Sequence, residues 1–130
     1  MTTFDKFLGY DYYLNSLKRQ LYILLNKEKY TDEILYDHIR LAIIDICIIF
    51  GLDGNSPFPI AGIDEFLDKY KDTLKDIKAV RNDLLAHSFD PSTKNLKKQA
   101  NHAYTSNLFE KYKNPIFGHF TTDLLKLITT

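Results

Sequence analysis

Apolar side chains recur at three- and four-residue steps between Phe4 and Asn26. Phe7, Leu14, Leu17, Leu21, Leu24 and Leu25 fall on one side, with Lys18, Arg19 and Gln20 opposite. That period predicts an amphipathic helix. Thr31 followed by Asp32 and Glu33 is an N-terminal cap with acid in the first turn, and Gly51 is a stop, so a second helix is framed between them. Its second half, Leu41 to Phe50, is apolar almost all round, which predicts the central helix of the fold. The isoleucines there would also suit a buried strand, but the length and the cap favour helix. The segment GLDGNSPFPIAG then breaks regular structure with its Gly and Pro, while Leu52, Phe58 and Ile60 can anchor it as a loop within one domain.

From Ile63 to about Ala86 helical spacing returns at Phe66, Leu67, Tyr70, Leu74, Ile77, Val80, Leu84 and Leu85, with room for a break near Lys71. Pro91, Ser92 and Thr93 restart the chain. Leu96, Ala100, Ala103, Tyr104 and Leu108 mark a fourth helix that runs to about Tyr112 and ends at Asn114 and Pro115. A last helix from about Phe117 carries Phe120, Leu124, Leu125 and Ile128 on one side. The expectation is an all-α protein: one domain over residues 1–130, folded as a compact bundle of about five helices.

Charge changes this picture little. There are 17 basic and 17 acidic residues, so no global field draws the chain to nucleic acid or membrane, and any anion site must be local. Cys47 is the one cysteine; it has no partner for an internal disulfide and reads as a small core residue in a reducing compartment. The start of the chain lacks the pattern of a secretory signal. The longest apolar run, LAIIDICIIF, is interrupted by Asp45 and covers about half of a membrane span. A cytoplasmic protein without membrane attachment is the expectation.

One position breaks the pattern. On a helical wheel of about 100° per residue with Leu74 at zero, Ile77, Leu84 and Leu85 fall near 300°, 280° and 20°, and Arg81 falls near 340°, inside the apolar stripe. A guanidinium cannot shed its charge, so it needs there a carboxylate, a bound anion, or an interface that admits water. Asp45, embedded among the isoleucines of the second helix, is the expected ion-pair partner. His87 lies six residues on. Within one straight helix it stands about 120° around from Arg81 and roughly 9 Å along the axis. The two could meet on one small group if the helix ended near Leu85 and the chain turned, or if two copies of the protein faced each other.

The stretch Arg81-Asn82-Asp83-Leu84-Leu85-Ala86-His87 resembles the signature of the HEPN superfamily: an arginine followed by a polar residue, then a short spacing to a histidine preceded by Ala. It sits late in the third principal helix, where that family carries it, and the helical layout extends the resemblance loosely over residues 5–128. The resemblance implies a helical bundle that dimerises, so that Arg81 and His87 of both copies line one cleft, and commonly a metal-independent endoribonuclease. Such domains recur in toxin–antitoxin, abortive-infection and CRISPR-associated systems, and the abortive-infection branch looks nearest. Where a related branch carries a tyrosine two residues after the histidine, this chain has Phe89, which argues against nucleotidylation there.

The chemistry suits these residues. Cutting RNA without metal needs a base for the 2′-hydroxyl proton, an acid for the leaving 5′-oxygen and a fixed cation for the developing charge. Histidine titrates near neutrality and can act in either sense, and arginine offers a planar fork to two phosphate oxygens. Asn82 could bind a phosphate or orient His87. Two histidines from two copies would divide the acid and base roles and leave a 2′,3′-cyclic phosphate. DNA, without the 2′-hydroxyl, should resist. Lys75 and Lys78, with Lys71 on the same flank, and Lys94, Lys97 and Lys98 after the motif could follow an RNA backbone; a solvated helix surface is the better explanation for any one of them, and Asp72, Asp76 and Asp83 dilute their field. His38, His102 and His119 lack the spacing of a zinc site, and no phosphate loop or dinucleotide fingerprint is present, so neither metal nor cofactor is expected. Partners are expected to be a second copy, RNA and a cognate antitoxin protein. The alternative is a HEPN-type module that binds RNA or protein without cutting.

Overall fold

The computed structural model describes residues 3–88 and 119–129, with side chains from Leu8 to Asn82 and from His119 to Thr129. The fold is an all-α bundle. Among the described residues its helices are α1 (Thr3–Leu25), α2 (Asp32–Ile49), α3 (Ile63–Lys69), α4 (Lys71–Ser88) and α5 (His119–Thr129), with a 3-10 turn at Lys27–Lys29. The helix expected between Pro91 and Tyr112 lies outside the described residues.

Local chemistry sets the boundaries. The Thr31 side chain accepts from the Ile34 amide at 3.4 Å, at the long limit of a cap bond, and its backbone is extended as a cap requires. Past the last turn of α2, Gly51 takes the left-handed conformation at φ 62°, which only glycine adopts without strain. The break near Lys71 falls at Tyr70. Its amide closes α3 on the Phe66 carbonyl at 3.0 Å, and its own carbonyl accepts from Leu74 at 2.9 Å to open α4. The helix is therefore divided with no proline or glycine.

α1 and α2 form an antiparallel pair: Gln20 meets His38 near the connection and Ser16 meets Asp45 farther from it. α4 packs on α2, α5 on α1, and α3 on α4. The core joins Leu17, Leu21 and Leu24 of α1 to Ile39, Ile43, Ile46 and Ile49 of α2, Leu74, Ile77 and Val80 of α4, and Phe120, Leu124 and Ile128 of α5. Each fully buried side chain of this size contributes about 1.5–3 kcal/mol relative to an exposed one. Phe66 ties the far end together, stacked on Phe50 and tilted against Tyr70 and Phe120. The Gly/Pro-rich loop is anchored as expected through Phe58, whose ring lies 4.4 Å from that of Tyr10.

Two expectations need correction. Gln20, placed on the polar side of α1, is buried and hydrogen-bonded to His38. Its flank of α1 is the one α2 covers, and the long amide satisfies a polar group that an apolar neighbour would leave bare. Nor is α2 enclosed on all sides: Ile34, Leu41 and Ile44 stay 42%, 46% and 41% exposed, because α1 and α4 leave its outer face uncovered.

Candidate functional site

The candidate site is built where α2 ends. The chain turns back at once, with the Leu52 amide on the Cys47 carbonyl at 3.0 Å, Gly54 on Gly51 at 3.1 Å, and Phe58 on Ile49 at 2.8 Å. Asp53 stands on this turn. The turn depends on Gly51 for space as well as conformation, since a Cβ there would lie 2.1 Å from the Asn55 carbonyl oxygen.

Arg81 approaches from α4. Its two terminal nitrogens donate to the two carboxylate oxygens of Asp53 in a bidentate pair, and Nη2 also donates to Asn82 Oδ1 at 2.8 Å. The arginine side chain is 16% exposed and the aspartate 35%. The guanidinium thus lies largely within the structure, and the carboxylate is the member nearer solvent. Among the described residues, the buried Arg81 Nε has no hydrogen-bond partner. The carboxylate therefore satisfies the outer edge of the guanidinium and leaves one inner donor unused, at a cost of order 1–3 kcal/mol.

The electrostatics follow from this contact. The hydrogen bonds from Arg81 hold the Asp53 carboxyl below the usual carboxylate range, with Lys78 adding to the effect, and Asp53 in return fixes the charge on Arg81 more firmly. Cys47, on the last turns of α2, is pushed up to about 11 by burial, against the opposing pull of Arg81. The C-terminal end of α2 carries partial negative charge, which favours a cation beside it.

The expected pairing of Arg81 with Asp45 is therefore incorrect. Asp45 is 6% exposed and accepts from Ser16 Oγ at 2.7 Å. Burial raises its pKa, while the Ser16 hydrogen bond and the charge of Arg19 pull the other way. The reason is rotational. Asp45 and Cys47 are two residues apart and point roughly 160° away from each other around the helix axis, so the side of α2 that meets Arg81 is not the side that carries Asp45.

α4 runs unbroken to Ser88, so there is no turn near Leu85 to swing His87 back towards Arg81. His87 lies in this helix with its side chain outside the described residues, and with it Asp83. Lys71, Lys75 and Lys78 are exposed on α4, as are Asp72 and Asp76; Lys94, Lys97, Lys98 and His102 lie outside the described residues. His38 is engaged with Gln20, and among the described residues no group of three or more His, Cys, Asp or Glu side chains is arranged to hold a metal ion. No described helix is long and apolar enough to cross a membrane.

Sequence reasoning missed Asp53. The available signal was an aspartate between Gly51 and Gly54, immediately after a helix stop, a setting in which a short side chain is presented on a rigid turn. No family model, curated protein or solved structure matches the chain.

Proposed function

We propose that this chain is a HEPN-type, metal-independent endoribonuclease of a toxin–antitoxin or abortive-infection system. It acts in the cytoplasm as a homodimer whose cleft draws Arg81 and His87 from both copies, and a cognate antitoxin protein restrains it. The observation that carries the reading is the setting of Arg81: a permanently charged guanidinium, mostly withdrawn from solvent, six residues before His87 on one continuous helix. A straight helix holds those positions about 120° apart. That separation supports a cleft completed by a second copy, in which the arginine of one chain can serve the histidine of the other.

In this reading one His87 takes the 2′-hydroxyl proton while the other protonates the departing 5′-oxygen. The 2′-oxygen attacks phosphorus, the P–O5′ bond breaks, and a 2′,3′-cyclic phosphate and a free 5′-hydroxyl remain. Arg81 stabilises the charge that develops on the phosphoryl oxygens. Asn82 is exposed and its carbonyl oxygen accepts from Arg81, which leaves its NH2 group as the donor for a phosphate. Lys75 and Lys78 lie along the same helix as backbone contacts. The apolar side chains left bare on α2, Ile34, Leu41 and Ile44, support a chain that works against a partner.

The Arg81–Asp53 pair itself favours a second reading, a non-catalytic module of the same type in which Arg81 ties the loop to α4 and the surface binds RNA or protein. One experiment separates the two: wild type and His87→Ala are incubated with structured RNA in EDTA and the fragment ends examined. Cyclic-phosphate ends from the wild type alone support the nuclease. Equal inertness of both proteins, at high concentration and with cell extract added, supports the binding module.

A further inference from the structure

We propose that Asp53 is an internal competitor for the phosphate site: its carboxylate occupies the guanidinium fork of Arg81 that an RNA phosphate would take, and RNA binds by displacing it. The inference rests on the reading of Arg81 as a phosphate contact and adds a regulatory device to that site.

Two features carry it. The pair is bidentate, with both terminal nitrogens of Arg81 spent on the two oxygens of one carboxylate. A phosphodiester presents two non-bridging oxygens to the same edge, so the two ligands are mutually exclusive. The carboxylate is also the more exposed partner and sits on a turn outside the helices, so it can be replaced from the solvent side without opening the core. Lys78 already acts on Asp53, and Asn82 contacts Arg81. An incoming phosphate would therefore find a second cation and an amide donor beside the vacated fork.

Population arithmetic sets the expected size. If the latch is closed nine-tenths of the time, apparent affinity is reduced about tenfold relative to the open state. The test is fluorescence anisotropy of the full chain with a labelled, uncleavable 2′-O-methyl oligoribonucleotide. Asp53→Asn should tighten binding by about tenfold. Asp72→Asn, which removes the same charge from an exposed position on α4, should change it by less than about twofold. In the double variant Asp53→Asn with Arg81→Ala the gain should disappear. A tightening no larger than that of Asp72→Asn overturns the latch. Asp53→Ser is measured beside Asp53→Asn, with thermal melts of each. Loss of the fold in both overturns the latch too, since the pair would then be holding the loop in place. The underlying site is judged separately by Arg81→Ala alone. If that variant weakens RNA binding while Asp53→Asn does nothing, only the latch fails; if Arg81→Ala binds as the wild type does, the phosphate site itself fails.

Discussion

Two aspartates eight residues apart are shifted in opposite directions, and the difference predicts how stability follows pH. Asp53 is held low by Arg81. Its contribution is present above the unfolded value of about 3.9 and is lost as pH falls through the depressed folded value. Asp45 is pushed up by burial. Its contribution is present below the unfolded value and is lost as pH rises through the raised folded value, so at neutral pH the ionised carboxylate opposes folding. Asp45→Asn keeps an acceptor for Ser16 and removes the buried charge. It should melt higher than wild type at pH 7, with the advantage shrinking as pH is lowered towards 4, and thermal melts across that range check it. An advantage independent of pH would mean that desolvation of the charge is not the cause. At Arg81, lysine preserves the charge and loses the fork, so Arg81→Lys should cut RNA at least about tenfold more slowly than wild type with little loss of fold. Cleavage at the wild-type rate would show that a point charge suffices. The need of Arg81 for a charged partner was legible from its place in an apolar stripe, but the identity of its carboxylate was not. Asp45 had the right neighbours and the wrong side of the helix, while Asp53 lay beyond the helix end, where periodicity carries no information about direction.

At the scale of elements, the spacing of Leu17, Leu21 and Leu24, the Thr31 cap and the Gly51 stop were enough to place α1 and α2, because each boundary has a local cause. The α3–α4 break was legible only as a region: Tyr70 ends one helix and opens the next by backbone hydrogen bonds alone, without a residue whose type announces it. The bare face of α2 was not legible at all, since a run of isoleucines records what a helix can bury and not how many neighbours arrive to cover it. The turn after α2 gives the sharpest mutational prediction. Gly51→Ala must hold an L side chain at φ 62° with its Cβ 2.1 Å from the Asn55 carbonyl oxygen, so the chain there must move. A loss of about 2–4 kcal/mol is expected in urea denaturation, together with release of Arg81 from Asp53. A loss below about 0.5 kcal/mol would mean that the turn has an alternative course. Thr31→Ala should cost less, about 0.5 kcal/mol, the lower end for a lost cap, given the long bond to Ile34.

For the whole molecule, the proposed nuclease on a continuous α4 makes one chain half of a site. The Arg81 and His87 positions on a straight helix diverge by about 120° and by roughly 9 Å along its axis, and the proposed reading assigns the two side chains that serve one phosphate to different copies. If the cleft is shared, specific activity depends on protein concentration. Far above the dissociation constant of the dimer it is constant, and below it it falls in proportion to concentration, because the dimer fraction does. Sedimentation velocity fixes the dissociation constant, and RNA cleavage in EDTA is followed across the same dilution series. A mixing experiment sharpens the assignment. Arg81→Ala and His87→Ala are each inactive alone in this scheme, but after exchange of subunits the mixed dimer carries one intact Arg81 and one intact His87, on different chains. The two-histidine scheme expects that mixed dimer to stay far below wild type, since one of the acid and base roles is empty; full recovery on mixing would show that one arginine and one histidine on different chains suffice. A monomer that cuts with undiminished specific activity would contradict the shared cleft outright, and would require the segment after Ser88 to bring a second catalytic group to Arg81 within one chain.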